Sequence, residues 1–332
     1  MNEQQDLLDY QSLNKKIVCV TGGNGFIGKK LIEKLSKTGC CIRAITRKKN
    51  AIFPSNVNVF IGDLTDANLS LTKFIEDCDI LYHCAGETNY KQQMSLLHID
   101  GTKKLIQAVE NEFKLTKKKL HWIQLSSCGA YGPPNNCDVE IKRTITETSE
   151  TSPTNEYEIT KTKSDEMVIE TSNNNFEYTI LRPSNVIGPS MTNQSIYKLI
   201  QLVNSGYFFF IGKKDAISTY VHVDDVVQAL MIISCNPNSK NEIFNISYDC
   251  SWEDLLKKIS YLLNVKMLPV RIPFKFIQIP AKLIKLTFGK FVNVPRLDPF
   301  AYRTKYSTKK IESFLNFKFS KPMPDSIEDL IK

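Results

Sequence analysis

Thr21-Gly22-Gly23-Asn24-Gly25-Phe26-Ile27-Gly28 follows the apolar run Ile17–Thr21 and opens a stretch of helical periodicity, Phe26–Lys37. A chain that turns tightly from strand to helix needs a residue tolerant of positive φ, and close approach of a second group needs backbone without Cβ. Gly22, Gly25 and Gly28 meet those needs. The first N–H groups of a helix have no partner inside it and attract negative charge. The stretch therefore predicts a turn, including Phe26 and Ile27, that cradles the pyrophosphate of a dinucleotide. By itself the same spacing also fits an ordinary strand–turn–helix corner.

Outward from this turn, strand-like runs alternate with helical patterns. Cys41–Thr46, Val57–Ile61 and Ile80–Cys84 read as strands, and Thr102–Phe113 as a helix. His121–Ser126 and Tyr178–Arg182 are further strands, with a helix carrying Tyr157 and Lys161 between them. Strands separated by helices predict an α/β fold, a doubly wound parallel sheet of Rossmann type covered on both faces. After Pro183 the alternation weakens, and segments rich in Pro and aromatic residues, Ile272–Pro280 and Val294–Tyr302, predict a smaller C-terminal substrate-binding lobe. The expected organisation is a flexible lead-in over 1–14, a dinucleotide-binding domain over 15–185 rejoined by 217–247 through Tyr220–Ile233, and a lobe made of 186–216 and 248–332.

The 332 residues are 42% hydrophobic and 23% charged, ample for a sizeable core. No run approaches the ~18 apolar residues of a membrane span. The N-terminus lacks the basic-then-apolar pattern of a secretory signal. The nine cysteines include no Cys-x-x-Cys pair, which fits a reducing, cytoplasmic setting. The four histidines, His83, His98, His121 and His222, are scattered without metal-ligand spacing, so no metal is expected. The net charge of +8 is spread widely, with one short cluster at Lys117–Lys119. That cluster, between a helical pattern and a strand, reads as a solvated turn, with anionic substrates and cofactors as a second, milder explanation of the charge and no nucleic-acid partner expected. The apolar, basic stretch 274–291 reads as a partly buried helix, with a membrane-surface helix as the alternative.

At the end of the second strand an acidic residue would bind the ribose 2′-hydroxyl of NAD. This chain has Arg47, Lys48 and Lys49, and an arginine can grip a 2′-phosphate bidentately. NADP is thus favoured over NAD, the alternative being a solvated basic loop. Asp63 and Leu64 end the third strand, where a carboxylate can accept from the adenine amino group or cap a turn. Ala85 and Gly86, after the fourth, are small enough for a coenzyme to pass.

Tyr157 and Lys161, four apart, share a helix face. A phenol ionises near pH ~10, too high for a neutral-pH base, and a nearby cation lowers it. Ser127 ends the strand before that helix and is placed to bind a substrate oxygen. The three form equipment for moving a hydride on or off a secondary alcohol.

With these residues the chain resembles the extended short-chain dehydrogenase/reductase family, in the branch of sugar-nucleotide epimerases and dehydratases. The resemblance runs through Thr21–Gly28, Gly62–Asp66, His83–Gly86, Gly101-Thr102, Ser126–Gly132, Tyr157–Lys161, Leu181–Pro189 and Val221–Asp225. It implies Ser127, Tyr157 and Lys161 as the catalytic trio, Pro183 beside the coenzyme, Asn185 on the sugar nucleotide, Arg296 on its diphosphate, and a homodimer. Three positions depart from the family. His98 replaces an asparagine, Ser218 an arginine, and Arg47 the acidic ribose ligand. The leading expectation is a C4 epimerase or 4-keto reductase of a nucleotide sugar. One alternative is an NADPH ketoreductase of a non-sugar substrate, of dihydroflavonol-reductase or hydroxysteroid-dehydrogenase type, motivated by Arg47, Ser218 and the aromatic run Tyr207–Phe210. Another is a non-catalytic dinucleotide-binding sensor.

Overall fold

The computed structural model describes residues 10–134, 141–191, 194–206, 208–267, 270–274, 276 and 298–331. The apolar runs become strands β1 (Ile17–Thr21), β2 (Cys41–Thr46), β3 (Val57–Ile61), β4 (Ile80–His83) and β5 (Leu120–Leu125). Further strands are β6 (Lys142–Ile145), β7 (Phe176–Pro183), β8 (Asn185–Ile187), β9 (Phe210–Ile211), β10 (Ile217–His222), β11 (Glu242–Ile246), β12 (Tyr248–Ser251), β13 (Arg271–Ile272) and β14 (Arg303–Tyr306). Seven of them form one sheet in the order β11-β7-β5-β4-β1-β2-β3, and every neighbouring pair is parallel. The order reverses between β1 and β4, and open parallel sheets bind ligands at such a switch point, outside the carboxyl ends of the strands. Here those ends are Thr21 and His83, which pair in register.

Helices cover both faces because the strands carry apolar side chains on both. On one face, α1 (Phe26–Leu35) contributes Leu31, Ile32 and Leu35 to the core. On the other, α2 (Gly101–Thr116) contributes Leu105, Ile106 and Val109, and α3 (Glu156–Asn175) contributes Val168. A third apolar cluster gathers Ile196, Leu199 and Val203 of α4 (Ser195–Asn204) with Leu255 and Ile259 of a later helix, Trp252–Leu262.

Two expectations meet a different arrangement. Tyr10 and Leu13, at the end of the expected flexible lead-in, are buried in the same cluster as Leu35, because two large apolar side chains gain more from the core than the chain loses in freedom. The expected return through Tyr220–Ile233 is divided. The helix α5 (Val223–Cys235) packs its Val226, Leu230 and Ile233 on the main sheet, but β10 pairs with β8 and β12 in a separate three-stranded sheet. The strand that takes the edge of the main sheet is β11, beside β7. Residues 277–297, which hold most of the 274–291 stretch and Arg296, lie outside the described residues, as does Tyr207.

Candidate active site

The glycine turn is built of contacts that a side chain would destroy. Gly22 has φ +65°, and a Cβ there would stand 2.7 Å from the Ala85 nitrogen. A Cβ on Gly28 would stand 2.3 Å from the Gly22 oxygen. The turn is thus pressed against the end of β4 on one side and the start of α1 on the other. Gly25 is the N-cap of α1 and no side chain caps that helix, which leaves its first N–H groups to an anion. Thr21 Oγ1 receives the Ala85 N–H at 3.2 Å and lies 2.6 Å from His83 Nδ1. A backbone cradle of this kind, at a switch point, fits a dinucleotide pyrophosphate. Phe26 and Ile27 are half-buried behind it against the core.

Arg47 and Asp63 follow β2 and β3, with Nη1 3.9 Å from Oδ2 at an exposed corner. The Asp63 Oδ1 already accepts from the Thr65 N–H and hydroxyl, at 2.9 and 2.8 Å, in a local turn. Leu64 is buried, and its carbonyl accepts from Lys104 Nζ at 3.0 Å. Gly86 abuts the His98 imidazole, whose Nε2 would lie 3.6 Å from a Cβ at that position.

Ser127 follows β5 and caps the short turn Cys128–Tyr131, its Oγ accepting the Gly129 N–H at 3.0 Å. Helix α3 begins with a capping box between Asn155 and Glu158. That start places Tyr157 and Lys161 one turn apart on the face toward the sheet. The ammonium of Lys161 is buried and donates to the Leu125 carbonyl at 2.6 Å. Burial pushes the Tyr157 phenol above its ordinary value, the Ser127 hydrogen bond opposes that, and the Asp165 and Glu158 charges add to it. Burial lowers Lys161, against the Asp165 and Cys84 charges.

The spacing of four continues to Asp165, which sequence reasoning passed over. Tyr157, Lys161 and Asp165 mark successive turns of one helical face, and that repeat was the available signal. Asp165 Oδ2 accepts from Ser126 Oγ at 2.6 Å and from Arg182 Nη2 at 3.2 Å, with both charged side chains almost wholly buried. Burial raises the Asp165 carboxyl, opposed by the Arg182 and Lys161 charges. Arg182 also lies over the Tyr131 ring, 5.1 Å from its centroid. An ion pair therefore supports the site from beneath.

Above it opens a cavity of about 780 Å³ lined by Ser127, Tyr157 and Asn185. Asn185 donates to the Thr219 carbonyl at 3.0 Å. Leu199, Tyr220, Trp252, Phe300 and Tyr306 also line the cavity. Lys198 is the only lysine or arginine among the described lining residues. Ser218 is buried, with its hydroxyl on the Cys250 carbonyl at 3.0 Å. Pro183 ends β7 and is buried. Among the described residues no cluster of His, Cys, Asp or Glu could hold a metal, and no helix is long and apolar enough to cross a membrane.

Sheet order, switch point and glycine cradle define a dinucleotide-binding protein of Rossmann type. The chain belongs to the NAD dependent epimerase/dehydratase family, whose model matches residues 18–247. It is 27% identical over 243 residues, 69% of its length and 76% of the relative's, to a Methanocaldococcus jannaschii protein whose proposed name is UDP-glucose 4-epimerase. It is 25% identical over 321 residues to the bifunctional dihydroflavonol 4-reductase/flavanone 4-reductase of Pyrus communis, covering 87% of this chain and 86% of that one. Among solved structures, the UDP-glucuronic acid 4-epimerase of Bacillus cereus in complex with NAD superposes with a TM-score of 0.71 at 18% identity, over 94% of each chain. The UDP-glucose 4-epimerase of Thermotoga maritima with UDP-glucose gives 0.70 at 18% identity, over 95% of this chain and 100% of that one. At that identity the structural likeness speaks for the fold.

Proposed function

We propose that the protein is a nicotinamide-dinucleotide-dependent enzyme that epimerises or reduces a ring carbon, C4, of a nucleotide sugar. The observation that carries this reading is the single cavity that Ser127, Tyr157 and Asn185 line together. Its volume suits a ligand larger than a simple ketone. The names of the epimerase relatives support the substrate class.

Gly22, Gly25 and Gly28 with the start of α1 hold the pyrophosphate, and Ala85 and Gly86 leave room beside it. The bound dinucleotide supplies the acceptor and donor of hydride. Ser127 Oγ hydrogen-bonds the reacting oxygen. Tyr157 takes the proton from that oxygen or returns it, and Lys161 favours the phenolate once its ammonium turns from the Leu125 carbonyl toward the reacting end. Asn185 orients the sugar. An exposed Arg47 beside the ribose end supports use of NADP, and hence net reduction. A homodimer in the cytoplasm completes the reading.

A second reading has its own observation. The aromatic wall of Tyr220, Trp252, Phe300 and Tyr306, with Ser218 turned away from the cavity, favours an apolar ketone reduced with NADPH. The name of the Pyrus communis relative supports it.

Incubation with a panel of UDP- and dTDP-sugars, with NAD, NADH and NADPH in turn, separates the two. Turnover of a sugar nucleotide that Tyr157→Phe abolishes, with coenzyme binding retained, is the expected result. Turnover of flavanone or steroid ketones alone would replace the first reading by the second.

A further inference from the structure

We propose that His98 is a positioning residue, which holds the Tyr157–Lys161 turn of α3 in register with the glycine-turn side of the sheet. The inference rests on the reading of Tyr157 as the acid–base group.

His98 lies in the π-helical turn Leu96–Asp100, just before α2, with its ring buried. Its Nε2 accepts the Glu87 N–H at 2.9 Å. A backbone amide can only donate, so Nε2 carries no proton. Nδ1 therefore carries it and donates to Thr160 Oγ1, 2.8 Å away. Thr160 is buried beside Lys161 and passes its own hydroxyl proton to the Glu156 carbonyl at 2.7 Å. The direction of every bond is thus fixed. The imidazole also meets the Tyr157 ring edge to face, with centroids 5.7 Å apart and planes at 80°.

The other end of this chain reaches the coenzyme side. Glu87 is two residues beyond Ala85, which presses on Gly22 and donates to Thr21 Oγ1. A second neutral histidine locks the same corner. Thr102 Oγ1 donates to the His98 carbonyl at 2.6 Å, so it accepts from His83 Nε2 at 3.0 Å. His83 Nδ1 is then the acceptor for Thr21 Oγ1. Two imidazoles of opposite tautomer therefore tie the ends of β1 and β4 to the helix that bears the acid–base pair. Burial first, and the Lys161 charge second, push His98 down to about 3, so it stays a neutral acceptor at working pH. Misplacement of reacting groups by ~1 Å can cost on the order of 100-fold in rate. A single imidazole that spans loop and helix sets this distance directly.

The test uses the full-length protein and the best substrate of the sugar-nucleotide panel. His98→Phe keeps an aromatic ring against Tyr157 and removes both polar bonds. The expected outcome is a kcat lower by about 10–100-fold, with KM and NADPH affinity within about 3-fold of wild type. Thr160→Val removes the same bond from the helix side, and the double variant should lose no more than His98→Phe alone. His98→Asn, which can still donate to Thr160, should recover part of kcat. Wild-type kcat in His98→Phe would overturn the proposal. So would losses that add in the double variant, or a parallel fall of kcat, NADPH affinity and melting temperature. Should His98→Phe fail to fold, Thr160→Val decides alone by the same kcat criterion. Wild-type turnover in Tyr157→Phe, or no turnover of any panel sugar, removes the parent reading and this proposal with it. Failure of the His98 and Thr160 variants alone leaves the parent reading standing.

Discussion

The glycine cradle makes a quantitative prediction, because another glycine in the same chain serves as its control. Gly22 and Gly206 both have positive φ, +65° and +76°. An alanine at either position carries the left-handed backbone cost of about 1–2 kcal/mol. The two differ in surroundings. Nothing lies within 4 Å of a Cβ on Gly206, whereas a Cβ on Gly22 meets the Ala85 nitrogen and the Cys84 carbonyl carbon, each at 2.7 Å. Those are backbone atoms of a central region of the sheet and cannot rotate aside, so an overpacking cost of about 1–3 kcal/mol is added. Gly206→Ala should therefore lose about 1–2 kcal/mol and Gly22→Ala about 2–5 kcal/mol, a large share of an ordinary domain's stability. Urea unfolding measures both. Titration of NADH and NADPH by fluorescence reads the second effect. Widening the turn moves the N–H groups of α1, and binding to Gly22→Ala should weaken by at least about 10-fold, or ~1.4 kcal/mol, while Gly206→Ala binds as wild type. Equal stabilities for the two variants, with coenzyme affinity intact in Gly22→Ala, would refute the argument that Ala85 and Gly22 jointly form the cradle.

Further outcomes follow from the buried charges. Asp165→Asn leaves Arg182 without its counter-ion in the core, and the loss should be about 3–5 kcal/mol by urea unfolding. A change under about 1 kcal/mol would show that the pair is solvated in solution. Asp249, on β12, accepts from the Tyr306 N–H at 2.6 Å, and burial pushes its carboxyl up to about 6, against the Ser247 and Tyr306 hydrogen bonds. The unfolded value is near ~3.9, so between about pH 4 and 6 the folded protein keeps a proton that the unfolded chain has released. Stability from this group should fall by about 3 kcal/mol as pH rises through that window and stay level above it. Asp249→Asn should remove that slope in urea melts at pH 4 and 7, and an unchanged difference between the two pH values would count against a raised carboxyl.

Much of the coenzyme end was legible because it is local. The turn from Thr21 to Gly28 needs only neighbours in sequence, and strand and helix periods of two and 3.6 residues are written within each element. Tyr157 and Lys161 share a face for the same reason. Local signals also exposed Ser127, at the carboxyl end of a strand. They failed for β10, since an apolar run shows that a strand forms and not which strand it joins. Its pairing with β8 and β12 depends on residues some thirty positions away on either side.

The order of elements, the glycine cradle and the four-residue step between phenol and ammonium were determined by sequence alone, since each depends on backbone geometry over a few residues. Only the tertiary structure decided what those groups experience. Lys161 donates to the Leu125 carbonyl, and burial raises Tyr157 where a bare helix would leave its proton to the neighbouring charge. Asp165 meets Arg182, and His98 reaches Thr160, across long stretches of chain. Ionisation and hydrogen-bond direction respond to the dielectric and to partners brought in from distant segments. Those quantities come into being only when the layers close.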